Sequence, residues 1–207
     1  SKFFRNGDFR SGYYRDQTFM MSINQLTPDQ FFAHLYAHTD IKKDPHSGGR
    51  QMNCHFGTRL LNEKGEWKTQ TDMKNSASDI SCVSGQMPRI VGLAYASKLY
   101  RNNKNLSDME NFSINGNEVV FGTIGDASTS EGHFWEAINA CGVLQVPLIM
   151  SIWDDGYGIS VPSEYHTTRN DLSKALSGFQ RSSKEENGYE IFTCLLYTSD
   201  AADDKCS

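Results

Sequence analysis

The sequence predicts an α/β fold with a doubly wound parallel sheet, and two apolar segments carry this prediction. Residues 118–124 and 146–153 are mostly apolar rather than alternating with polar positions, which is typical of strands covered on both faces. Between them, residues 131–143 place Phe134 and Ile138 at helical spacing. A strand, a helix and a strand in this order predict a βαβ unit.

The elements before this unit follow from local signals. Residues 1–20 are rich in aromatic and basic side chains, and they predict an irregular or short-strand segment. Thr27, followed by Pro28 and Gln30, is the pattern of a capped helix start. The sequence therefore predicts a helix over about 28–38.

The middle and end of the chain are less regular. Residues 39–79 show no sustained periodicity and predict a long loop with a turn at 62–65, and loops of this length are usually functional. Ser84 stands where it could cap a second helix, whose apolar residues repeat with a period of about 3.6. A polar loop is predicted over 102–117, and a further strand over 189–193.

Composition and charge narrow the class of protein. The chain has 207 residues, of which 38% are hydrophobic and 22% charged, as in globular proteins. Its net charge of −5 and its lack of a basic stripe argue against nucleic acid as a partner. The longest apolar stretch, 143–153, is interrupted and too short to cross a membrane. Five cysteines without a CxxC pair indicate a reducing compartment. This favours a bacterial-type cytoplasm, with the mitochondrial matrix as the alternative.

Both ends of the chain are interpreted as cut. The first residue is Ser1 rather than an initiator methionine. Near the other end, residues 194–203 match one frame of a transposon end and adapter used in DNA sequencing libraries. We therefore predict a domain fragment over 1–193 and a non-native tail over 194–207. The alternative is an ordinary polar tail.

Acidic and small residues follow both strands of the predicted βαβ unit. Residues 125–128 read Gly-Asp-Ala-Ser and residues 154–158 read Asp-Asp-Gly-Tyr-Gly. Parallel strands end at the same edge of a sheet, so both loops are expected to border one crevice. Small residues before a helix let a phosphate approach the backbone, and carboxylate oxygens suit Mg²⁺. The simpler alternative is a helix cap at Asp126 and a turn at 154–156.

The spacing of these loops resembles a known signature. Residues 125–127, a spacer of 26 residues and then Asp154-Asp155 are similar to the thiamine diphosphate motif, in which GDG is followed by a terminal NN. Further segments resemble the alpha chain of the decarboxylating component of branched-chain 2-oxo acid dehydrogenases. These segments cover residues 13–17, 47–57, 81–98, 125–139 and 154–162. The resemblance implies the thiamine diphosphate-binding fold, here truncated at both ends.

The resemblance also implies roles for individual residues. It gives the Mg²⁺ ligands as the side chains of Asp126 and Asp155 and the main-chain carbonyl of Tyr157. Other matched residues would bind the cofactor: Tyr14, Arg15, Gly125, Ala127 and Ser128 at the diphosphate, and Ser81 and Val83 at the aminopyrimidine. His55 matches a loop histidine that faces the reacting carbon and is the candidate catalytic residue.

Two positions depart from the family pattern. Asp155 stands where the family usually has asparagine, which adds a negative charge beside the metal. Trp153 stands where an arginine is common, which removes a positive charge. Both changes weaken the attraction for a diphosphate unless another cation compensates.

The reaction implied by the resemblance is oxidative decarboxylation of a 2-oxo acid with transfer of the acyl group to a lipoyl arm. The implied partners are a beta chain or fused beta domain, which supplies the activating glutamate, and a lipoyl-bearing acyltransferase. The fragment alone is therefore expected to be inactive. Two alternatives remain open at this point: a transketolase-type transfer of two carbons with the same cofactor, and a non-catalytic subunit of the same fold.

Overall fold

A computed structural model describes residues 2–195, which are built on a four-stranded parallel sheet. The spatial order of the strands is β2-β1-β3-β4. They are β1 (Phe9–Ser11), β2 (Asn75–Ser76), β3 (Val120–Gly125) and β4 (Leu148–Trp153). The predicted parallel α/β fold is confirmed.

Five α-helices, six short 3-10 turns and one short hairpin complete the regular structure of the described residues. The helices are α1 (Gln17–Ser22), α2 (Pro28–Leu35), α3 (Gln86–Asn102), α4 (Gly132–Leu144) and α5 (Leu172–Leu176). The hairpin pairs β5 (Tyr157–Gly158) with β6 (Val161–Pro162). Within residues 2–195, no helix combines the length and the apolar character that a membrane span requires.

Helices α3 and α4 cover one face of the sheet. Ile90 of α3 and Phe134 of α4 are fully buried in one apolar cluster with Val120 and Ile124 of β3. The same cluster includes Leu176 of α5. Since each buried aliphatic side chain stabilises the fold by about 1.5–3 kcal/mol, this cluster fixes the helices against the strands.

A second apolar cluster covers the opposite face of the sheet. Phe4, Met20 of α1 and Phe56 are buried together, and Phe121 of β3 packs against them. Phe121 alternates along β3 with Val120, so the two clusters lie on opposite faces of the strand. The central strands are therefore covered on both sides, as the doubly wound prediction requires.

Strand β4 differs from the prediction that both strands are buried on both faces. It is the edge strand of the described sheet, and its residues alternate between partly buried and exposed positions. Ile149 is 49% exposed and Trp153 is 40% exposed on the uncovered face. The apolar run of β4 thus has one face without a covering helix in the part of the chain that the structure describes.

A buried ionic network joins β1 to the loops above it. Arg10 is fully buried, and its Nη2 and Nη1 atoms lie 2.7 Å from Asp16 and 2.9 Å from Asp79. The Thr123 hydroxyl also donates a hydrogen bond to Asp16. A Cβ atom at Gly12 would lie 1.9 Å from an Asp16 carboxylate oxygen, so only glycine fits there. The short strand β1 is therefore held by the ion pairs of Arg10 as well as by the apolar packing of Phe9.

Several local predictions can be compared with the structure. Thr27 and Gln30 form the predicted capping box, and the helix ends at Leu35 rather than near residue 38. Ser84 was expected to cap α3, and this was wrong, since Gly85 precedes the helix and Ser84 has a positive φ of 55°. The strand expected over 189–193 is also absent, with one isolated bridge at Tyr189.

The predicted tail lies mostly beyond the described residues. Residues 196–207 fall outside them, and Leu195 is 64% exposed. The division of the chain at residue 193 therefore stays a prediction.

Candidate functional site

The loops after β3 and β4 leave the sheet at one edge. Gly125 at the end of β3 is paired in register with Trp153 at the end of β4. The Asp126 backbone N–H continues this pairing by donating to the Trp153 carbonyl at 3.0 Å. The loop that begins at Asp126 and the loop that begins at Asp154 are therefore neighbours, as the sequence predicts.

Asp126 is a buried carboxylate with an unused oxygen. Its side chain belongs to a residue only 4% exposed, and its Oδ2 atom has no hydrogen-bond partner. Burial raises the pKa of the Asp126 carboxyl, and the charges of Asp154 and Asp155 act in the same direction. A buried acceptor without a donor is costly, so this oxygen is suited to accept a cation or a proton.

Asp155 pairs with a cation from the N-terminal segment. The Arg15 Nη1 atom lies 3.1 Å from Asp155 Oδ2, and both side chains are about half exposed. The Arg15 guanidinium also lies over the Tyr14 ring, 5.5 Å from its centroid. The other carboxylate oxygen of Asp155 accepts the Tyr157 backbone N–H at 3.1 Å. Arg15 is thus a cation that compensates the extra negative charge at position 155.

Close packing surrounds Gly125 and Ala127. The Tyr13 ring lies 3.5 Å from the position that a Cβ atom of Gly125 would occupy. On the other side, a Cβ atom at Gly158 would approach the Ala127 Cβ to 2.7 Å. A side chain at position 158 would therefore push the two loops apart. Burial raises the pKa of Tyr13 to about 12, and its hydroxyl has no hydrogen-bond partner.

His55 and Ser81, two predicted site residues, are in direct contact. The His55 Nε2 atom lies 3.0 Å from the Ser81 hydroxyl, and its Nδ1 atom lies 3.1 Å from the Asn53 carbonyl. Because a carbonyl only accepts, Nδ1 carries the proton and Nε2 accepts from Ser81. His55 itself is 6% exposed, whereas Ser81 is exposed.

The segment that follows Ser81 is attached to the loop after β3. The His133 Nε2 atom, in the first turn of α4, lies 3.1 Å from the Val83 carbonyl oxygen. The Ser84 hydroxyl donates to the Ser128 carbonyl. The structure thereby joins the predicted aminopyrimidine residues to the predicted diphosphate residues. Val83 itself is 56% exposed.

The loop that carries His55 is anchored by a buried carboxylate. Asp44 accepts hydrogen bonds from the backbone N–H of Gly49 at 2.9 Å and from the Ser47 hydroxyl at 2.7 Å, and it contacts His34 of α2 at 3.2 Å. Burial alone would raise the pKa of Asp44, but these donors and the charge of His34 outweigh it and lower the pKa to about 2. The charged form of Asp44 therefore stabilises the loop.

We expect Asp44→Asn to lower the free energy of unfolding by about 2 kcal/mol at neutral pH, because hydrogen bonds to a charged acceptor are lost. The pKa of Asp44 lies below its ordinary value of 3.8, so its contribution is complete above about pH 5 and is lost as the pH falls towards 2. Denaturant unfolding at several pH values should show the difference between the two proteins shrinking over that range. The exposed Asp40→Asn is the control, and a pH-independent difference would contradict the prediction.

A cavity of about 540 Å³ lies behind the turn 127–130. Thr129, His166, Arg169 and Lys174 are among its lining residues. None of the predicted site residues lines it.

The residues at the sheet edge can hold a metal only together with a ligand. Among residues 2–195, no group of three His, Cys, Asp or Glu side chains is arranged to bind a metal ion alone. Two carboxylates and a carbonyl leave several of the six positions around Mg²⁺ free for phosphate oxygens. The unpartnered Asp126 oxygen and the adjacent Arg15 therefore fit a metal bound to a diphosphate.

Sequence reasoning missed several residues of this region. The contacts of His133 and Ser84 had no signal in the sequence, since they join segments far apart in the chain. His166 was also missed, and its charge acts on Asp126, although weakly. Tyr13 and Asp16 lie within the recognised segment 13–17, so that motif could have drawn attention to them.

A parallel α/β sheet whose loops meet at its carboxyl edge defines the class of α/β domains that bind their ligands at that edge. Comparison with known proteins gives the family. The sequence profile of the family described as "Dehydrogenase E1 component" matches residues 2–206. The chain belongs to this family, and the resemblance found in the sequence is confirmed.

Curated relatives are of the branched-chain type. The chain is 28% identical over 185 residues to the 2-oxoisovalerate dehydrogenase subunit alpha of Bacillus subtilis, covering 89% of this chain and 46% of that protein. It is 25% identical over 197 residues to the mitochondrial subunit alpha of Homo sapiens, covering 95% of this chain and 37% of the relative. The chain thus spans less than half the length of these relatives.

Proposed function

We propose that the chain is the cofactor-binding alpha part of a thiamine diphosphate- and Mg²⁺-dependent dehydrogenase that acts on branched-chain 2-oxo acids. The observation that carries this proposal is the buried Asp126 oxygen without a partner, beside Asp155 and Arg15 at the sheet edge. Family membership implies the use of thiamine diphosphate, and the names of the relatives support the substrate class.

The proposal assigns the metal to the loops after β3 and β4. Asp126 and Asp155 would bind Mg²⁺ through their carboxylates, and Tyr157 through its main-chain carbonyl. Arg15 is already close to Asp155, so a diphosphate would compete with that carboxylate for the guanidinium. An exposed ion pair contributes only about 0–1 kcal/mol, so this exchange costs little.

The remaining residues would orient the two ends of the cofactor. Tyr14, Ala127 and Ser128 would lie against the diphosphate, and Gly125 allows the close approach. Ser81 and Val83 would contact the aminopyrimidine.

When bound, thiamine diphosphate would supply the nucleophilic carbon for the 2-oxo group and an electron sink for the electron pair that remains when CO₂ leaves. The chain would bind, orient and exclude water. His55 would face the reacting carbon, with Nδ1–H donating to the Asn53 carbonyl so that Nε2 is the unprotonated nitrogen that could bind a proton. Ser81 donates to that same Nε2 atom, so it would set the direction of the imidazole ring.

Exposed apolar side chains around the site support a partner that covers it. Large apolar side chains this exposed, when grouped at one edge, are typical of interaction surfaces. They are Val83, Trp153, Tyr157, Ile159 and Tyr165. We propose that a beta chain or fused beta domain covers this surface and that a lipoyl-bearing acyltransferase receives the acyl group. The proposed location is the bacterial cytoplasm or the mitochondrial matrix.

Calorimetric titration and a substrate assay test the proposed function. The full-length chain, assembled with its beta part, should bind thiamine diphosphate only in the presence of Mg²⁺ and should release CO₂ from branched-chain 2-oxo acids. Turnover of sugar phosphates instead would favour the transketolase-type alternative. Failure to bind the cofactor would favour a non-catalytic subunit.

Asp155→Asn should leave thiamine diphosphate affinity unchanged or increase it. The substitution removes a negative charge beside the metal and releases Arg15, while a side-chain oxygen remains to bind Mg²⁺. Titration calorimetry at fixed Mg²⁺ measures the change, and Asp154→Asn is the matched control in the same loop. A large loss of affinity in Asp155→Asn would mean that the carboxylate charge itself is required.

A further inference from the structure

Hydrogen bonds of side chains attach the segment 81–84 to two neighbouring regions. Ser81 contacts His55 and the Met52 sulfur, the Val83 carbonyl contacts His133, and the Ser84 hydroxyl contacts the Ser128 carbonyl. The contacts of Val83 and Ser84 lead to the turn and helix that follow Asp126. They therefore join the segment to the proposed diphosphate loop, residues 125–128, and to the first turn of α4.

We propose that His133 and Ser84 are positioning residues that hold Val83 at a set distance from the diphosphate loop. We call their two contacts, His133 with the Val83 carbonyl and Ser84 with the Ser128 carbonyl, the clamp. This inference rests on the proposed function, because the clamp would hold together two segments that bind the two ends of the same cofactor.

The directions of the two hydrogen bonds support the clamp. A carbonyl oxygen only accepts, so Nε2 of His133 carries the proton and donates to Val83. In the other contact the donor lies on the segment 81–84, and the acceptor is the Ser128 carbonyl on the diphosphate loop. The segment 81–84 thus gives one donor and one acceptor, and so does the region formed by Ser128 and His133. Together the two bonds restrain both the distance between the two backbones and their movement past each other.

The backbone at Ser84 points to the same role. Its φ of 55° lies in the left-handed region, which a serine rarely adopts. Ser84 is also buried, with 3% exposure, whereas its neighbour Val83 is 56% exposed. A strained residue persists only where its surroundings hold it, and here the hydroxyl contact does so. The exposed Val83 side chain is thereby held at a defined place above the loop.

Val83 belongs to neither buried apolar cluster of the described residues, and more than half of its side chain is exposed. Its position therefore depends on its backbone. His133 is the side chain that contacts that backbone directly, so removing its donor should loosen Val83 without altering the carboxylates of the metal site.

Two ligands separate a positioning role from a general loss of structure. Thiamine diphosphate with Mg²⁺ would touch both segments, whereas inorganic pyrophosphate with Mg²⁺ would touch only the diphosphate loop. In the assembled full-length enzyme, His133→Phe should raise the Kd for thiamine diphosphate about tenfold and that for pyrophosphate less than about twofold. His133→Gln keeps an N–H donor and should recover most of the affinity.

Ser84→Ala tests the second contact of the clamp independently. It should weaken thiamine diphosphate binding in the same selective way, and its effect should not add fully to that of His133→Phe, because the contacts hold one segment. His38→Phe is the control for loss of an exposed histidine away from the site, and both affinities should stay unchanged.

The outcomes distinguish the clamp from the proposed function. Equal losses for both ligands, or no loss in His133→Phe while the unaltered enzyme binds thiamine diphosphate, would overturn the clamp and leave the proposed function standing. An unaltered enzyme that binds neither ligand would overturn both. The melting temperature of the cofactor-free protein should be nearly the same for His133→Phe and His133→Gln. A difference in affinity between the two variants then does not come from a difference in stability.

Discussion

Asp126→Ala is expected to reduce Mg²⁺-dependent binding of thiamine diphosphate by at least about 100-fold, equivalent to about 2.7 kcal/mol. The buried Asp126 oxygen has no other partner, so a cation that bridges to the diphosphate would lose its best protein ligand. The diphosphate would then face the Asp154 and Asp155 carboxylates without that bridge. Titration calorimetry on the assembled enzyme measures the affinity.

Asp126→Ala is also expected to change the stability of the cofactor-free chain, which should increase while the affinity for the cofactor falls. Because an unpartnered buried carboxylate is unfavourable, Asp126→Ala should raise the free energy of unfolding of the cofactor-free chain, by up to about 1 kcal/mol. The exposed Asp108→Ala is the control and should change neither quantity. Unchanged cofactor affinity in Asp126→Ala would remove the residue from the metal site. Lower stability without the cofactor would mean that its oxygen has a structural partner.

Arg10→Met is expected to lower the free energy of unfolding by about 3–5 kcal/mol, since it leaves Asp16 and Asp79 buried without their cation. Burial already raises the pKa of Asp79, and the Arg10 charge opposes this effect. Without the guanidinium both carboxylates would be buried without a cation, which favours unfolding of the surrounding loops. Denaturant unfolding of the full-length chain measures this loss, which is a large fraction of the stability of a typical domain.

A second substitution tests the reason for that loss. Adding Asp79→Asn to Arg10→Met removes one of the two unpaired charges, so it should restore part of the stability. Arg50→Met is the matched control, because Arg50 is exposed, and its effect should stay within about 0.5 kcal/mol. If both arginine variants lost the same stability, the network of Arg10 would not be the cause.

The long elements of the fold could be predicted because each has a sustained pattern, which is an apolar run in the strands and helical spacing in α4. Strand β3, helix α4 and strand β4 lie within one or two residues of the predicted bounds. The strands β1 and β2 are too short for a pattern, having three and two residues, and their pairing comes from the buried Arg10 network and backbone contacts with distant segments. For β1 the sequence predicted no more than an irregular or short-strand segment over 1–20, and the bounds and pairing of both strands come from tertiary structure.

The site was predictable to the extent that it lies at strand ends. The acidic residues after β3 and β4 were expected at one edge because parallel strands require it, and they are found there. The partner of each side chain was not predictable. Ser84 illustrates the reason: its hydroxyl suits a helix cap, but in the folded chain Ser84 precedes the cap position with a positive φ of 55°, and its hydroxyl donates to the Ser128 carbonyl instead.

Within the part of the chain that the structure describes, one face and one edge of β4 are uncovered, which affects how the isolated chain behaves at high concentration. A parallel edge strand offers unpaired backbone groups to any extended peptide, and Ile149 and Trp153 add an apolar surface beside them. Natural edges are often protected by lysine, proline or a bulge, but the six residues of β4 contain no charged side chain. Two such strands from different molecules could therefore pair and start aggregation. Ile149→Lys or Ser151→Lys, both on the exposed face of β4, should keep the isolated chain monomeric for longer without disturbing the covered face.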